Sequence, residues 1–321
     1  MDRGRSVPRG TRVQRARAGL VAGVSWLACR LPEGVTVRVA ELAAAAWYRA
    51  TPGRAAQARR NLHRVCLHLV ATGRADERTT AAAADAGALE DLVRSAYRHA
   101  ARYYLEVLRI PAFTPTTLDR RVVIETPDVV EEAFAADRPV VFVGLHLGSV
   151  ELPGLYLARR TGRPTAAPME TIGDPALQDW FERTRARVGV RIVSLRAARR
   201  ELLAALRRGE TVGMIADRDV SGGGLSVSLF GAEAPVPVGP ALLAIETGAP
   251  IYVAALRRAE QGRYRGRLIA IRVDDAGSRR ERVTAIVTAT AKAFEDLIAD
   301  APDQWWAVFF AIWPDLEARA S

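Results

Sequence analysis

The sequence has few residues that bind metals or form disulfides, and it has a single lysine, Lys292. Its two cysteines, Cys29 and Cys66, lie in apolar helical patterns without metal-type spacing, so we expect buried free thiols rather than a disulfide framework. Neither an HExxH pattern nor paired CxxC motifs occur. We therefore expect no metal site and no bound cofactor.

Long apolar runs are also missing. No stretch reaches the roughly eighteen residues that a membrane-spanning helix needs. The best run, 18–29, follows a tail with six arginines and lacks the small-residue cleavage site of a signal peptide. We predict an amphipathic segment that lies on the cytoplasmic face of a membrane, with Leu20, Val24, Trp26 and Leu27 facing inward. The alternative is an ordinary first helix with a solvated basic tail.

Acidic residues are outnumbered by basic ones, and the formal net charge is +10. Part of this excess reflects the Arg- and Ala-rich composition typical of a GC-rich genome. The remainder favours an anionic partner, either nucleic acid or an anionic membrane surface, and we expect the membrane and no nucleic acid. With 49% hydrophobic and 26% charged residues, the chain is globular rather than disordered.

The sequence pattern changes near residue 113. Residues 18–110 are rich in Ala and have apolar residues at three-to-four spacing, which predicts helices. From Val122 onward, short β-branched runs alternate with helical patterns, which predicts a largely parallel, buried sheet flanked by helices. The predicted parts are a basic tail (1–17), a helical membrane-associating region (18–112) and an α/β core (113–321) continuous with the helices. The predicted strands are 122–125, 139–145, 164–169, 190–195, 211–216, 225–230, 250–256 and 268–273, and the helices between them include 174–188, 197–207, 239–247 and 279–299.

Two of the predicted strands lead into residues with acid–base chemistry. The run 139–145 precedes His146, and the run 211–216 precedes Asp217, Arg218 and Asp219. In open α/β sheets, reactive groups collect where strands end and helices begin. Asp217 and Asp219 flanking Arg218 could equally be a salt-bridged strand end.

His146 and Glu151 form an H-x4-E pattern. Residues five apart point about 140° away from each other on a helix, so the two converge only if His146 lies in a strand-to-helix turn, with Gly148 permitting the bend. An imidazole can take the proton of an attacking hydroxyl, and a neighbouring carboxylate fixes its tautomer. The pattern alone is common, and a capping or core histidine is the ordinary alternative.

Several longer sequence motifs occur along the chain together with this H-x4-E pattern. Together they resemble the lipid A acyltransferase family, which includes bacterial lauroyl and myristoyl transferases and actinobacterial phosphatidylinositol mannoside acyltransferases. The resemblance extends from about residue 20 to the end, and the ADRD and GPALLAIETGA phrases look most like the phosphatidylinositol mannoside enzymes. The phrases are RRNL at 59–62, VFVGLHLGSVELPG, Glu170, WFERTRARVG with Arg185, MIADRD, FGAEAPVPVGPALLAIETGAP and PDQWWAVFFAIWPD.

The resemblance implies a glycerolipid-acyltransferase-like fold and a reaction. A fatty acyl group would pass from acyl-CoA or acyl carrier protein to a hydroxyl of a glycolipid at the cytoplasmic face of the plasma membrane. His146 would be the catalytic base and Glu151 the motif carboxylate. Asp217, or alternatively Asp219, matches a second acidic position near the histidine.

The resemblance also implies a set of substrate-binding residues. Glu170 and Arg185 match positions that line the acceptor site, where an arginine fork could clamp a phosphate oxygen. Arg218 and Asp219 complete the expected set. The family often has Asn-Trp after His-x-Gly, whereas this chain has Ser149-Val150, a difference that bears on the acceptor more than on the chemistry.

Alternatives to this function remain. The acceptor is expected to be a phosphatidylinositol mannoside, but a lysophospholipid or lipid A-type acceptor is an alternative, and so is a protein that binds anionic membranes without catalysis. A serine hydrolase is disfavoured because no G-x-S-x-G motif occurs. Arg185 lies among other arginines, so a solvated helix face would also explain it. The aromatic end, 305–313, has helical spacing and is either a helix packed on the core or an acyl-channel wall or interfacial anchor.

Overall fold

A computed structural model of the chain describes residues 10–135, 138–162, 165–187, 189–273 and 276–317. Residues 1–9, which hold the first three arginines of the predicted basic tail, lie outside this description. The fold is a mixed α/β architecture in which helices flank a mostly parallel sheet, and it begins with a helical region. The predicted fold class is confirmed.

Five helices form the N-terminal layer. Side chains begin three of them: Thr11 caps α1 in a capping box with Gln14, Asp76 caps α4 and Asp85 caps α5. α2 packs along α5 through small residues, among them Ala40 and Ala44, that allow a close approach. The helices are α1 (Arg12–Arg30), α2 (Glu33–Ala50), α3 (Pro52–Ala71), α4 (Glu77–Ala84) and α5 (Ala86–Arg109).

Seven strands form the main sheet. Their order is β1-β9-β8-β2-β5-β3-β4, and every neighbouring pair is parallel except β8 with β9. The strands are β1 (Val122–Ile124), β2 (Val141–Gly148), β3 (Thr165–Met169), β4 (Val190–Ser194), β5 (Thr211–Ile215), β8 (Ile251–Arg258) and β9 (Tyr264–Ile271); β6 (Leu225–Leu229) and β7 (Ala232–Val236) form a separate antiparallel hairpin.

Seven further helices connect and flank these strands. Three of them join consecutive parallel strands as crossover connections, from β2 to β3, from β3 to β4 and from β4 to β5, as the alternating sequence pattern predicts. They are α6 (Pro115–Arg121), α7 (Pro127–Ala135), α8 (Glu151–Thr161), α9 (Pro175–Ala186), α10 (Ala198–Arg207), α11 (Gly239–Thr247) and α12 (Arg279–Ala299).

The helical layer and the sheet share one hydrophobic core. Leu62 of α3 and Leu92 of α5 belong to the same buried cluster as Val141 and Val143 of β2 and Phe294 of α12. All five side chains are almost completely inaccessible to solvent. The N-terminal helices therefore cover one face of the sheet instead of standing apart from it.

Two segments differ from the sequence-based expectation. Strand β7 was not predicted. It follows a tight turn in which Phe230 and Gly231 both have positive φ, and it contains Pro235, a residue more typical of loops than of strands. The aromatic end does not form an α-helix. It forms short 3-10 turns, Pro302–Gln304, Trp306–Phe309 and Pro314–Leu316, and the backbone of Trp305 bridges to Leu147 of β2.

Candidate active site

His146 lies near the carboxyl end of β2 and contacts the segment that follows the neighbouring strand β5. Its Nδ1 is 2.7 Å from Asp217 Oδ1, and its backbone N–H donates to Asp217 Oδ2 at 2.8 Å. β2 and β5 are adjacent and parallel, although β3 and β4 separate them in sequence. The sheet order therefore brings together a histidine and an aspartate that are 71 residues apart.

Asp217 is almost completely buried and accepts three hydrogen bonds. The third comes from Trp305 Nε1 at 2.7 Å. Burial raises the pKa of Asp217, but the charge and hydrogen bonds of His146, together with the Trp305 N–H, outweigh burial and hold the pKa below its ordinary value. The carboxylate is therefore ionised at neutral pH.

The ionised Asp217 fixes the tautomer of His146. A carboxylate without a proton only accepts hydrogen bonds, so Nδ1 carries the ring proton and Nε2 is left with its lone pair. The ring of Trp306 packs edge-on against the imidazole, with ring centroids 4.2 Å apart, and the His146 side chain stays partly exposed. This arrangement can act as a general base toward a hydroxyl that reaches Nε2.

Gly148 ends β2 and turns the chain toward α8. Its φ is +58°, and a Cβ there would lie 2.2 Å from the carbonyl oxygen of Leu256 on β8. The Ser149 N–H donates to that same carbonyl at 2.8 Å. Both the left-handed backbone and the close approach of β8 require glycine at this position, which is the bend that the sequence predicts.

Glu151 does not meet His146, contrary to the convergence expected from the H-x4-E pattern. As the first residue of α8, it instead forms a two-pronged ion pair with Arg185 of α9, with distances of 3.0 Å from Nε and 2.5 Å from Nη2. His146 is still in the strand, so its ring points toward β5, and Asp217 takes the position beside it. The carboxylate that bonds to the histidine is thus the distant Asp217 and not the nearby Glu151.

Arg185 is fully engaged within the protein. Its third guanidinium nitrogen, Nη1, lies 3.1 Å from Met169 Sδ, and the ring of Phe181 lies 5.2 Å from the guanidinium carbon. Burial lowers the pKa of Arg185, but the charge and hydrogen bonds of Glu151 outweigh it, and the pKa is raised above the ordinary value. Arg185 is therefore not on a solvated helix face, and its fork is not open to clamp a phosphate.

The other expected substrate-binding residues differ in burial and in the contacts of their side chains. Asp219 accepts hydrogen bonds from the backbone N–H groups of Ser221, Gly222 and Gly224, at 2.7–3.2 Å, so its carboxylate folds its own loop. Glu170 follows β3 directly and is exposed. Arg218 is half-buried, and its guanidinium carbon lies 3.5 Å from the ring centroid of Phe310.

Two buried polar atoms near His146 have no hydrogen-bond partner among the residues that the structure describes. They are Ser149 Oγ, three residues after the histidine, and Nε1 of Trp306. The same described residues contain no group of three His, Cys, Asp or Glu side chains that could hold a metal ion. A concavity of about 550 Å³ is lined by arginines of α10 and contains none of the candidate residues.

The sequence of this site matches a known family. Residues 9–309 match the family described as bacterial lipid A biosynthesis acyltransferase. The matched range includes His146, Glu151, Asp217 and most of the aromatic end. The chain belongs to this family. It is therefore an acyltransferase, and the resemblance seen in the sequence is confirmed.

Relatives of this acyltransferase carry a more specific name. A protein of Mycolicibacterium smegmatis named phosphatidylinositol mannoside acyltransferase is 30% identical over 292 residues, which are 89% of this chain and 88% of the relative. A protein of the same name from Mycobacterium tuberculosis is 31% identical over 210 residues, which are 64% of this chain and 65% of the relative. The acyltransferase is thus similar to enzymes named for a glycolipid acceptor.

Sequence reasoning missed the contribution of the C-terminal segment to the candidate site. Trp305 bonds to Asp217 and Trp306 contacts His146, although both lie far along the chain. Asn61, in the RRNL phrase of α3, holds this segment in place because its Nδ2 donates to the carbonyls of Val308 and Phe310, each at 2.8 Å. The sequence offered one signal for this contact: the RRNL motif and the aromatic C-terminal motif both belong to the family resemblance.

Proposed function

We propose that this acyltransferase moves a fatty acyl group from acyl-CoA or acyl carrier protein to a hydroxyl of a phosphatidylinositol mannoside, with His146 as general base. The observation that carries this proposal is the hydrogen-bonded pair of His146 and Asp217 at the carboxyl edge of the sheet. Acyl transfer to an alcohol needs a group that removes the hydroxyl proton at neutral pH, and an oriented imidazole does this.

The reaction follows from the tautomer of His146. Nε2 takes the proton of the acceptor hydroxyl as its oxygen attacks the thioester carbonyl carbon. The tetrahedral intermediate collapses, the carbon–sulfur bond breaks, and the imidazolium returns its proton to the departing thiolate. Asp217, buried and ionised, stabilises the imidazolium that exists between the two proton transfers.

The proposed acceptor rests on the names of the relatives. The proteins from Mycolicibacterium smegmatis and Mycobacterium tuberculosis are both named phosphatidylinositol mannoside acyltransferase, and the first aligns with most of this chain. Lysophospholipids and lipid A-type precursors contain acceptor hydroxyls of the same chemistry, so they are the competitors in the test.

A membrane surface is the proposed place of reaction. α1 and α2 turn one side toward α5 and present apolar side chains at three-to-four spacing on the other. None of the described helices is long and apolar enough to cross a membrane. We define the N-terminal apolar face by these exposed residues: Leu20, Val24, Leu27 and Leu31 on α1, and Val35, Val39 and Leu42 on α2.

The surroundings of the N-terminal apolar face support an anionic membrane. Arg12, Arg15 and Arg17 are exposed on α1 ahead of the apolar residues, and the guanidinium of Arg30 lies 3.9 Å from the ring centroid of the exposed Trp26. Arginine and tryptophan beside an apolar face are the residues that meet headgroups at an interface. α1 also packs against α9, the helix that carries Arg185, so a membrane bound to this face would lie near the site.

The proposed acyl transfer is tested by incubating the purified protein with acyl-CoA or acyl carrier protein thioester and a defined lipid mixture. The mixture contains phosphatidylinositol mannoside, lysophospholipid and lipid A precursor at equal concentration, and mass spectrometry identifies the lipid that gains the acyl mass. Acylation of the mannoside is expected. Transfer to either of the other two lipids alone would overturn the proposed acceptor, and no transfer would overturn the proposed reaction.

The membrane surface is tested with a matched pair of double variants. Val24 and Leu27, on the N-terminal apolar face, are 44% and 49% exposed, and Leu67 and Val70 of α3 are 48% and 42% exposed. Val24→Glu with Leu27→Glu should abolish flotation with anionic vesicles, whereas Leu67→Glu with Val70→Glu should leave it unchanged. Equal flotation of both double variants would contradict this surface.

A further inference from the structure

The two arginines expected among the substrate-binding residues differ in whether their guanidinium groups are already bonded within the protein. Arg185 gives all its guanidinium nitrogens to Glu151 and Met169. Arg218 forms no hydrogen bond or ion pair with any residue that the structure describes, and it stacks on the ring of Phe310. Stacking holds the planar guanidinium in place while leaving the N–H groups at its edge available. Arg218 is therefore a positioned guanidinium that forms no ion pair with a carboxylate of the described residues.

A second arginine approaches the same ring. The guanidinium carbon of Arg54 lies 5.6 Å from the ring centroid of Phe310, and its charge acts on Arg218 unfavourably. Arg54 is exposed and lies in the first turn of α3, a helix that has no acidic residue in that turn and no side-chain cap. The positive end of the helix dipole thus adds to two guanidinium groups around one aromatic ring.

The negative charges near Arg218 do not neutralise it. Asp217 adjoins it in sequence, but its carboxylate is taken up by His146 and Trp305. Glu170 acts on Arg218 through its charge, and no hydrogen bond or ion pair between the two is formed within the described residues. Bringing two guanidinium groups together costs free energy, and an anion bound between them removes that cost.

We propose that Arg218 and Arg54, next to Phe310, form a phosphate-binding site beside the catalytic histidine. This proposal rests on the proposed function, because it assigns the site to a phosphate carried by one of the two substrates. That phosphate belongs either to the phosphodiester of an inositol lipid acceptor or to the nucleotide end of acyl-CoA. A guanidinium fork binds two oxygens of a phosphate at once, so the site orients the substrate as well as attracting it.

Binding without turnover is the first test. Calorimetry on the full-length protein would use glycerophosphoinositol as the acceptor probe, coenzyme A as the donor probe and inorganic phosphate as the minimal ligand. Arg218→Met keeps the packing on Phe310 and removes the charge, so it should weaken binding of the recognised probe by about 10- to 100-fold, the effect of one charged hydrogen-bonding group. Arg218→Lys should retain part of the affinity, and Arg54→Gln should cause a smaller loss.

The control is Arg280→Met. Arg280 is exposed in the first turn of α12, which follows β9, and β9 runs antiparallel to β8, so Arg280 lies toward the sheet edge opposite to the one that carries Asp217. It should bind every probe as the wild type does. Equal affinity of the wild type and Arg218→Met for all three probes, or no saturable binding of any probe by the wild type, would overturn the site.

Kinetics identify which substrate supplies the phosphate. If the acceptor does, Arg218→Met raises the KM for the lipid and leaves the KM for acyl-CoA unchanged, and the same defect appears with an acyl N-acetylcysteamine donor, which has no phosphate. If acyl-CoA does, the defect disappears with that donor. A wild type that binds a probe but transfers no acyl group would reject the proposed function while leaving the phosphate site intact.

Discussion

Two charged pairs lie at the carboxyl edge of the sheet, and they use their side chains in opposite ways. His146 lies in β2 and Asp217 follows the adjacent strand β5; they bond through Nδ1 of the ring, and Nε2 has no hydrogen bond to any described residue. Glu151 and Arg185 come from two helices, and both oxygens of the carboxylate are matched to the fork of the guanidinium. The first pair leaves the Nε2 atom of His146 available to a substrate. In the second pair, the carboxylate and the guanidinium use their hydrogen-bonding groups on each other.

Under the proposed function, this difference separates a chemical role from a structural one. A pair that is closed on itself can hold α8 against α9, and so fix the turn after β2, but it has no group left for a substrate. Under the proposed function, the H-x4-E pattern contains one residue that reacts, His146, and one that supports, Glu151, although its spacing suggests two equal partners. The following changes act on one pair at a time.

Removing the imidazole should have the largest effect. His146→Ala should lower the rate of acyl transfer by about 10²- to 10⁴-fold, because it removes the proposed acceptor of the hydroxyl proton. The rate is measured with radiolabelled acyl donor, and circular dichroism should show an unchanged fold. Normal turnover by this variant would reject the mechanism.

Neutralising the partner of the histidine should have the next largest effect. Asp217→Asn keeps the volume, but an amide can offer an N–H to Nδ1 and so favour the wrong tautomer. We expect a loss on the order of 10²-fold in kcat with little change in the KM of either substrate. A loss confined to KM would show that Asp217 acts on binding instead.

Opening the closed pair should affect stability more than chemistry. The side chains of Arg185 and Glu151 are only 13% and 11% exposed, so Arg185→Met or Glu151→Gln alone leaves a buried group without its partner. Each should lower the free energy of unfolding by about 3 kcal/mol, measured by urea denaturation. The double variant should lose less than the sum of the two, and strict additivity would argue against the pair.

The pH dependence of stability should show the smallest effect. The pKa of Asp217 in the folded protein lies below its ordinary value, so the ionised carboxylate stabilises the fold at neutral pH, and this contribution is lost as the pH falls through the lowered pKa. The stability difference between the wild type and Asp217→Asn should therefore shrink as the pH falls below about 4. A difference that grows in acid would contradict the assigned shift.

The comparison of the two pairs also shows what the sequence could predict. The switch from helical periodicity to alternating β-branched runs predicts the helical layer and the parallel sheet, because both depend on local patterns. His146 and Asp217 were found for the same reason, since each follows or ends an apolar strand. The family resemblance placed Asp217 or Asp219 near the histidine, but local patterns could not tell which carboxylate bonds to it, because the pairing depends on β5 lying next to β2 while two other strands intervene in sequence.

The remaining parts of the site depend on contacts that leave no periodic signal. Trp305 lies between two short 3-10 turns and Trp306 begins the second, whereas the spacing of the aromatic residues predicted a helix. Asn61 is one polar residue on a helix, and only its bonds to the carbonyls of Val308 and Phe310 explain it. The sequence therefore located His146 and Asp217 as candidates and missed the two tryptophans that contact them and the asparagine that holds the tryptophan segment.

The most direct test of this account is the position of the proton on His146. Nitrogen-15 NMR of histidine-labelled protein, assigned with His146→Ala and recorded at a pH where the ring is neutral, distinguishes the two tautomers. We predict a protonated Nδ1 and a bare Nε2 in the wild type, with that preference lost in Asp217→Asn. A proton on Nε2 in the wild type would contradict the proposed general base.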